Sequence, residues 1–178
     1  MTVSIGIIGE PAVGKTTVMR KVIDGISFEL HKLGKAKWMQ NAEHKLIVMG
    51  SYMGHTFDGT DRLSMACYED LENALQYFQQ SKKGFAILWE GDRLARNRWL
   101  QALKESGYEL SLFHFTGELK TVKERRDKRG TKQNESWVSG RRSLCQRLAD
   151  EHGAQEIKMN DNKSFDVAAN LIKEKLHG

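Results

Sequence analysis

Gly9-Glu10-Pro11-Ala12-Val13-Gly14-Lys15-Thr16 places two glycines, a lysine and a hydroxyl at the spacing of a phosphate-binding turn. Glycines let backbone N–H groups, those of Ala12, Val13 and Gly14 among them, curl around phosphate oxygens. Lys15 offers a point charge to the β and γ phosphates, and the Thr16 hydroxyl can ligate Mg²⁺. The apolar run Val3 to Ile8 precedes the turn and a helical stripe follows it, so Thr16 and Thr17 open a helix whose positive end attracts anions. The set Gly9, Ala12, Val13, Gly14, Lys15, Thr16 and Thr17 is therefore expected to hold a nucleoside triphosphate.

A second group of reactive residues ends another apolar run. Phe85 to Trp89 reads as a buried parallel strand closed by Glu90-Gly91-Asp92-Arg93. In an open parallel sheet, ligands sit at the carboxyl ends of strands. One acid there can hold magnesium through water, and the other can take a proton from an attacking hydroxyl. Glu90 is favoured as base and Asp92 as metal partner, with the two roles exchangeable. The bland role for Asp92 is a helix N-cap or a surface ion pair with Arg93 or Arg96. Glu90 has fewer such roles, because a carboxylate ending a buried strand is costly without a partner or a task.

The formal charge of +5 is concentrated: Leu119 to Arg147 alone carries +7 and the remainder −2. Such a field suits a polyanion or nucleotide phosphates. Within it, Arg125, Arg126, Arg129, Arg141 and Arg142 flank the polar link Gly130 to Glu135, which has no strong apolar residue to bury and can move. The spacing predicts a lid over about residues 118–147. Arg125 and Arg129 share a helical face, as do Arg126 and Arg129. Arg125 and Arg129 are expected to stabilise the transferring group, and Arg126 to contact the triphosphate.

Gly54 to Ser64 is dense in hydrogen-bonding groups, more than a plain turn needs, and predicts a specific ligand. Thr60 or Asp61 is expected to cap the following helix. Tyr52, Phe57 and Trp89 are candidates for stacking on a base, with packing as their ordinary role. His55 has no metal partner in sequence and is left as a hydrogen-bond donor. His44 and His114 read as structural, and Trp38, Trp99 and Trp137 as packing residues.

The elements that position these groups alternate in the manner of βαβ units. Met19, Ile23, Ile26, Leu30 and Leu33 predict a first helix stopped by Gly34. Strands are expected at Lys35–Met39 and Leu46–Met49, and a helix along Leu63, Cys67, Leu71, Leu75 and Phe78. A helix over Arg98–Ser106, a strand over Leu110–Phe115, two basic helices over Glu118–Arg129 and Ser136–Glu151, a short strand over Glu156–Met159 and a helix over Ser164–Leu176 complete the chain.

With 178 residues, 39% hydrophobic, 29% charged and one proline, the chain suits a single domain, residues 1–178, and not a disordered or fibrous one. No run nears the roughly 20 apolar residues that cross a bilayer, and Glu10 and Lys15 interrupt the apolar start, so neither a membrane partner nor a signal peptide is expected. Cys67 and Cys145 lack CxxC or Cys/His spacing and are expected to pack in the core of a cytoplasmic protein.

Together the phosphate turn, the Glu90-Gly91-Asp92-Arg93 strand end and the two-helix arginine lid resemble the nucleoside and nucleotide kinase branch of the P-loop fold, over most of the chain. That resemblance implies a three-layer α/β fold, a parallel sheet flanked by helices, with ATP as phosphoryl donor and Mg²⁺ as its metal. No guanine-reading NKxD signature appears, and the chain is too short for the extra domains of motor ATPases.

More narrowly, Phe57-Asp58-Gly59-Thr60-Asp61-Arg62-Leu63-Ser64 with Glu90-Gly91-Asp92 resembles phage kinases that phosphorylate 5-hydroxymethyluracil within DNA during thymine hypermodification. The resemblance implies that Asp58, Thr60, Asp61 and Arg62, with Arg93, contact the acceptor base or its backbone. It also implies DNA with a hydroxymethylated pyrimidine as partner and the cytoplasm of an infected cell as location. Two rivals stand beside it: a kinase of free deoxynucleoside monophosphates, and a nucleotide-dependent DNA-binding module that phosphorylates nothing.

Overall fold

The alternation of strands and helices read from the sequence is present, with one departure near the start. The computed structural model describes residues 2–54, 59–60, 63–64, 66–130 and 133–178. Seven strands, β1 (Thr2–Gly9), β2 (Glu29–Leu33), β3 (Ala36–Asn41), β4 (Leu46–Met49), β5 (Ala86–Glu90), β6 (Tyr108–Thr116) and β7 (Gln155–Lys158), form a sheet in the order β2-β3-β4-β5-β1-β6-β7. The helices are α1 (Lys15–Ile23), α2 (Tyr68–Ser81), α3 (Asn97–Glu105), α4 (Leu119–Lys128), α5 (Glu135–His152) and α6 (Asn162–His177). The sheet is mostly parallel and flanked by helices, the expected α/β class. The β4–β5 and β6–β7 pairs are parallel, whereas β2, β3 and β4 pair antiparallel.

The departure is the first helix. It ends at Ile23, and residues 29–33 return as a strand paired with β3. Gly25 (φ +77°) breaks the helix where a left-handed residue stops α-geometry. Leu30 and Leu33 are 53% and 40% exposed, so their helical spacing was coincidental and marks no buried face. Gly34 makes the hairpin turn instead of a helix stop. A Cβ there would lie 2.2 Å from an Asp70 carboxylate oxygen, and that carboxylate accepts from the Lys35 N–H at 2.8 Å.

The chain divides into two units. The first comprises residues 2–6 and Ile23–Ser111. In it α2 packs on β2, β3 and α3, and Trp38 meets Phe78 edge-on at 5.0 Å. The expected helix from Leu63 starts later, at Tyr68: Leu63 and Cys67 are buried but precede it, and Cys67 is the N-cap. Trp89 is fully buried on β5, edge-on to Trp99 at 6.5 Å. Its indole N–H donates to Ser4 Oγ at 3.2 Å, and its ring occupies the space a Cβ on Gly6 would need, with a nearest approach of 2.2 Å.

The second unit comprises Ile7–Val22 and Leu112–Gly178. Ile7, Ile8, Val18, Met19, Phe115, Val122, Leu148 and Ile172 are among its buried residues. Its helix ends are well specified. The Asn134 side chain accepts from Ser136 N–H to start α5, Gly153 in the left-handed region ends it, and Asp161 with Ser164 forms a capping box for α6. Cys67 and Cys145 are buried free thiols, as expected of core residues. Among the described residues, no helix is long and apolar enough to cross a membrane.

Candidate active site

The phosphate turn runs from the end of β1 to the first turn of α1. Gly9, Ala12 and Gly14 have φ of +151°, +66° and +115°, the succession of unusual dihedrals that turns backbone N–H groups inward. Two of these positions have no room for a side chain. A Cβ on Gly9 would lie 2.5 Å from the Phe115 carbonyl oxygen, and one on Gly14 would lie 2.3 Å from Phe165 Cε1. The Lys15 ammonium donates to the carbonyls of Gly9 at 2.8 Å and Glu10 at 2.9 Å, so the lysine lies folded along its own turn. Thr16 is half-buried and Thr17 exposed at the start of α1, whose first turn has no acidic residue to screen its positive end.

The arginines of the basic segment divide sharply. Arg125 reaches the turn: its Nη1 donates to the Met159 carbonyl at 2.8 Å and the Val13 carbonyl at 3.4 Å, and its guanidinium stacks on Phe165 at 5.1 Å. Arg142 reaches it too, donating from Nε to Glu10 Oε1 at 3.2 Å and from Nη2 to Glu10 Oε2 at 2.5 Å. Glu10 is 5% exposed, a buried carboxylate inside a turn shaped for anions. Arg126 is buried and ion-paired with Glu135, linking α4 to the start of α5. Arg129 is exposed at the end of α4, its N–H returning to the helix carbonyls. Arg141 lies over the Trp137 ring at 5.3 Å. Trp137 is therefore no core residue: it sits 39% exposed on the solvent face of α5, covered by the arginine one turn on.

In the other unit, Glu90 ends β5 as a buried residue, 4% exposed, in a setting built for it. The Tyr52 hydroxyl donates to Glu90 Oε1 at 3.2 Å, and Thr60 Oγ1 donates to the Glu90 carbonyl at 2.6 Å. Ser51 and Gly59 pair as an antiparallel bridge. Gly59 (φ +75°) and Gly91 (φ +94°) are required here, since a Cβ on either would come within 2.8 Å of Glu90 Oε1 or Thr60 Oγ1, respectively.

Thr60 does not cap α2, because its hydroxyl is engaged at Glu90 and the N-cap is Cys67. Asp92 is half-buried between β5 and α3 and is not the N-cap of α3, which is Arg96. Arg93 is half-buried, and its carbonyl accepts from the Tyr68 hydroxyl at 2.5 Å. Trp89 is removed from the stacking candidates by its complete burial in the sheet. His55, Phe57, Asp58, Asp61 and Arg62 lie outside the described residues.

Among the described residues, no three His, Cys, Asp or Glu side chains cluster to hold a metal. Magnesium needs no such cage: it keeps several waters and takes phosphate oxygens with one or two protein oxygens. The Thr16 hydroxyl at the turn is an oxygen donor of that kind. His114 is buried on β6, and burial holds its pKa below the ordinary value despite the upward pull of Glu156, Asp150 and Glu10.

Sequence reasoning did not find Glu10, Arg142 as its partner, or Tyr52 as the Glu90 donor. Glu10 occupies an unconstrained position of the motif, and both pairings are long-range, so no local signal marks them.

Comparison with known proteins places this geometry in context. A family model described as P-loop Nucleotide Kinase3 matches residues 2–177. No curated protein matches the sequence. A gluconokinase from Sinorhizobium meliloti 1021 is similar in structure, with a TM-score of 0.51 at 12% identity over 99% of this chain and 96% of that one. An uncharacterized protein from Eubacterium ventriosum ATCC 27560 gives a TM-score of 0.50 at 13% identity over 99% of each chain. At these identities the likeness is one of fold.

Proposed function

This chain belongs to the P-loop Nucleotide Kinase3 family, and from that premise we propose that it is a phosphotransferase moving the γ-phosphate of ATP to the hydroxymethyl group of 5-hydroxymethyluracil in DNA. The observation that carries a hydroxyl acceptor is Glu90, a buried carboxylate at a strand end whose carboxylate and carbonyl accept hydrogen bonds from Tyr52 and Thr60. An alcohol must lose a proton on attack, whereas a phosphate acceptor is already ionised.

In this reading the acceptor oxygen forms a bond to the γ-phosphorus as the bond from that phosphorus to the bridging oxygen breaks. ADP leaves with the electron pair, and the hydroxyl proton passes to a Glu90 carboxylate oxygen. Lys15 leaves the carbonyls of Gly9 and Glu10 to meet the phosphates, and Arg125 and Arg129 offset charge spreading over the γ-oxygens. Arg126 supports the triphosphate through its hold on Glu135. Thr16 and Asp92 would hold magnesium, which would supply charge neutralisation on the phosphate oxygens. Arg93, Asp58, Thr60, Asp61 and Arg62 orient the acceptor, and the +7 segment attracts the DNA backbone.

The family description favours a second reading, a kinase of free deoxynucleoside monophosphates. Both are tested by incubating the protein with γ-labelled ATP and hydroxymethyluracil DNA, ordinary DNA or mononucleotides. Label is expected on hydroxymethyluracil DNA alone; transfer only to mononucleotides discards the leading reading. No transfer to any of them, with DNA binding retained, leaves the binding-module alternative.

A further inference from the structure

One aromatic side chain of the basic segment takes no part in the phosphoryl-transfer chemistry. Of the four tryptophans, Trp38, Trp89 and Trp99 are buried, at 3%, 0% and 1% exposed, whereas Trp137 near the start of α5 is 39% exposed. Arg141, one turn on, lies over its ring at 5.3 Å and so occupies one face of the indole. An indole left in water forgoes the stabilisation that burial brings. A lone exposed apolar residue is ordinary, so its surroundings decide whether it has a task.

Those surroundings are positive and bare. On α5 the surface neighbours of Trp137 three and four residues on are Gly140 and Arg141. Between Lys128 and Ser143 the sequence holds five basic residues and one acid, Glu135, and that acid is ion-paired with Arg126. The segment therefore keeps an excess of positive charge beside the indole. Gly140 is a second signal. A glycine inside a helix costs stability relative to alanine, and close packing does not require this one, because a Cβ added to it would meet no atom within 4 Å. Ser136, Ser139 and Ser143 around it are small and exposed as well. The surface beside the ring is thus left open at the expense of the helix, with room for a flat group to lie against the indole.

We infer that Trp137, with Arg141 and the open surface at Gly140, is a stacking platform for a base of single-stranded DNA. Aromatic rings take any base by its π-face, a guanidinium stacks on the same face or meets a phosphate, and the surrounding charge attracts the strand. A duplex hides the faces of its bases in the stack, so the partner is a strand already unpaired or locally opened. The platform deepens the kinase reading by naming the form in which DNA is held, and it rests on that reading for the strand being the acceptor. Contact between an indole and a base needs no phosphoryl transfer.

The test is binding without ATP, read by intrinsic fluorescence, because the other three indoles are buried. A short oligothymidylate, the same strand annealed to its complement, and an abasic deoxyribose-phosphate strand of equal length are titrated into the full chain. The single strand is expected to quench the emission. The duplex and the abasic strand, which carries the charge without the bases, should not. Trp137→Phe should abolish the quench yet retain part of the affinity, measured by anisotropy of a labelled strand. Trp137→Ala should weaken strand binding by about tenfold and leave its salt slope unchanged, since a stacking contact releases no counterion. Gly140→Leu, which fills the space beside the ring with a better helix former, should raise the urea midpoint while weakening the strand, a combination that misfolding does not produce. No quench by the single strand, an equal quench by the duplex or the abasic strand, or parent affinity in Trp137→Ala overturns the platform. Quenching by the strand without phosphoryl transfer to any acceptor leaves the platform standing and removes the kinase reading alone; transfer to DNA without quenching removes the platform alone.

Discussion

Glu10 and Arg142, 132 positions apart, are joined by hydrogen bonds of 3.2 and 2.5 Å between a buried carboxylate and a guanidinium on α5. An acid in a phosphate turn repels the ligand the turn is shaped for, so its neutralisation matters for binding. Arg142→Ala should weaken a non-hydrolysable ATP analogue by about tenfold, since an unpaired buried charge is then left beside the phosphates. Adding Glu10→Gln should restore much of it. A double-mutant cycle by calorimetry should give coupling of about 0.5–3 kcal/mol. Additive effects would show that the pair has no role in the turn.

Gly14→Ala meets two obstacles at once, a positive φ of +115° and a Phe165 carbon 2.3 Å from the new Cβ. Destabilisation of about 1–3 kcal/mol is expected in urea titrations, together with loss of analogue binding. Phe165→Ala should relieve the collision but not the dihedral, so the double variant should recover only part of the loss.

Two substitutions separate binding from chemistry. Glu90→Gln should keep analogue affinity and slow phosphoryl transfer by about 10²–10⁴-fold. Lys15→Ala should slow it by at least about 10²-fold. Single-turnover rates with labelled ATP decide between these; transfer by Glu90→Gln at the parent rate would put the proton acceptor elsewhere.

His114 gives a pH signature. Burial keeps its folded-state pKa below the ordinary 6.5, so the unfolded chain binds the proton first as pH falls. Stability should therefore decline below about pH 6.5, level off once the folded state also protonates, and be indifferent to this residue at higher pH. Urea titrations at about pH 5.5 and 7.5 should show a smaller difference for His114→Asn than for the parent. An identical difference would assign the slope to other groups.

Local features were readable from the sequence where their meaning is carried by neighbours along the chain. The phosphate turn is one, because its residue spacing is itself the chemistry; β5 is another, since Ile87, Leu88 and Trp89 are buried on both faces and need no alternation. The β2–β3 hairpin was hidden by leucines that mimic a helical stripe but face solvent. Arg126 looked equivalent to Arg125, and only the fold distinguishes them: one is buried against Glu135, the other lies along the turn. Tyr52 at Glu90 accompanies the Ser51–Gly59 bridge, a pairing that no pattern of residue types encodes.

The joint between Gly6 and the Trp89 indole leaves no slack on β5 one residue before Glu90. Of the groups proposed to read the acceptor, Thr60 bears on Glu90 itself, whereas Arg93 stands beyond it, between β5 and α3. Reaction and selectivity are thereby separable for an engineer at one place and not the other: substitution at Arg93 should retarget the catalyst, while loss of Thr60, or even a methyl group added at position 6, should dislodge the carboxylate on which every target would depend.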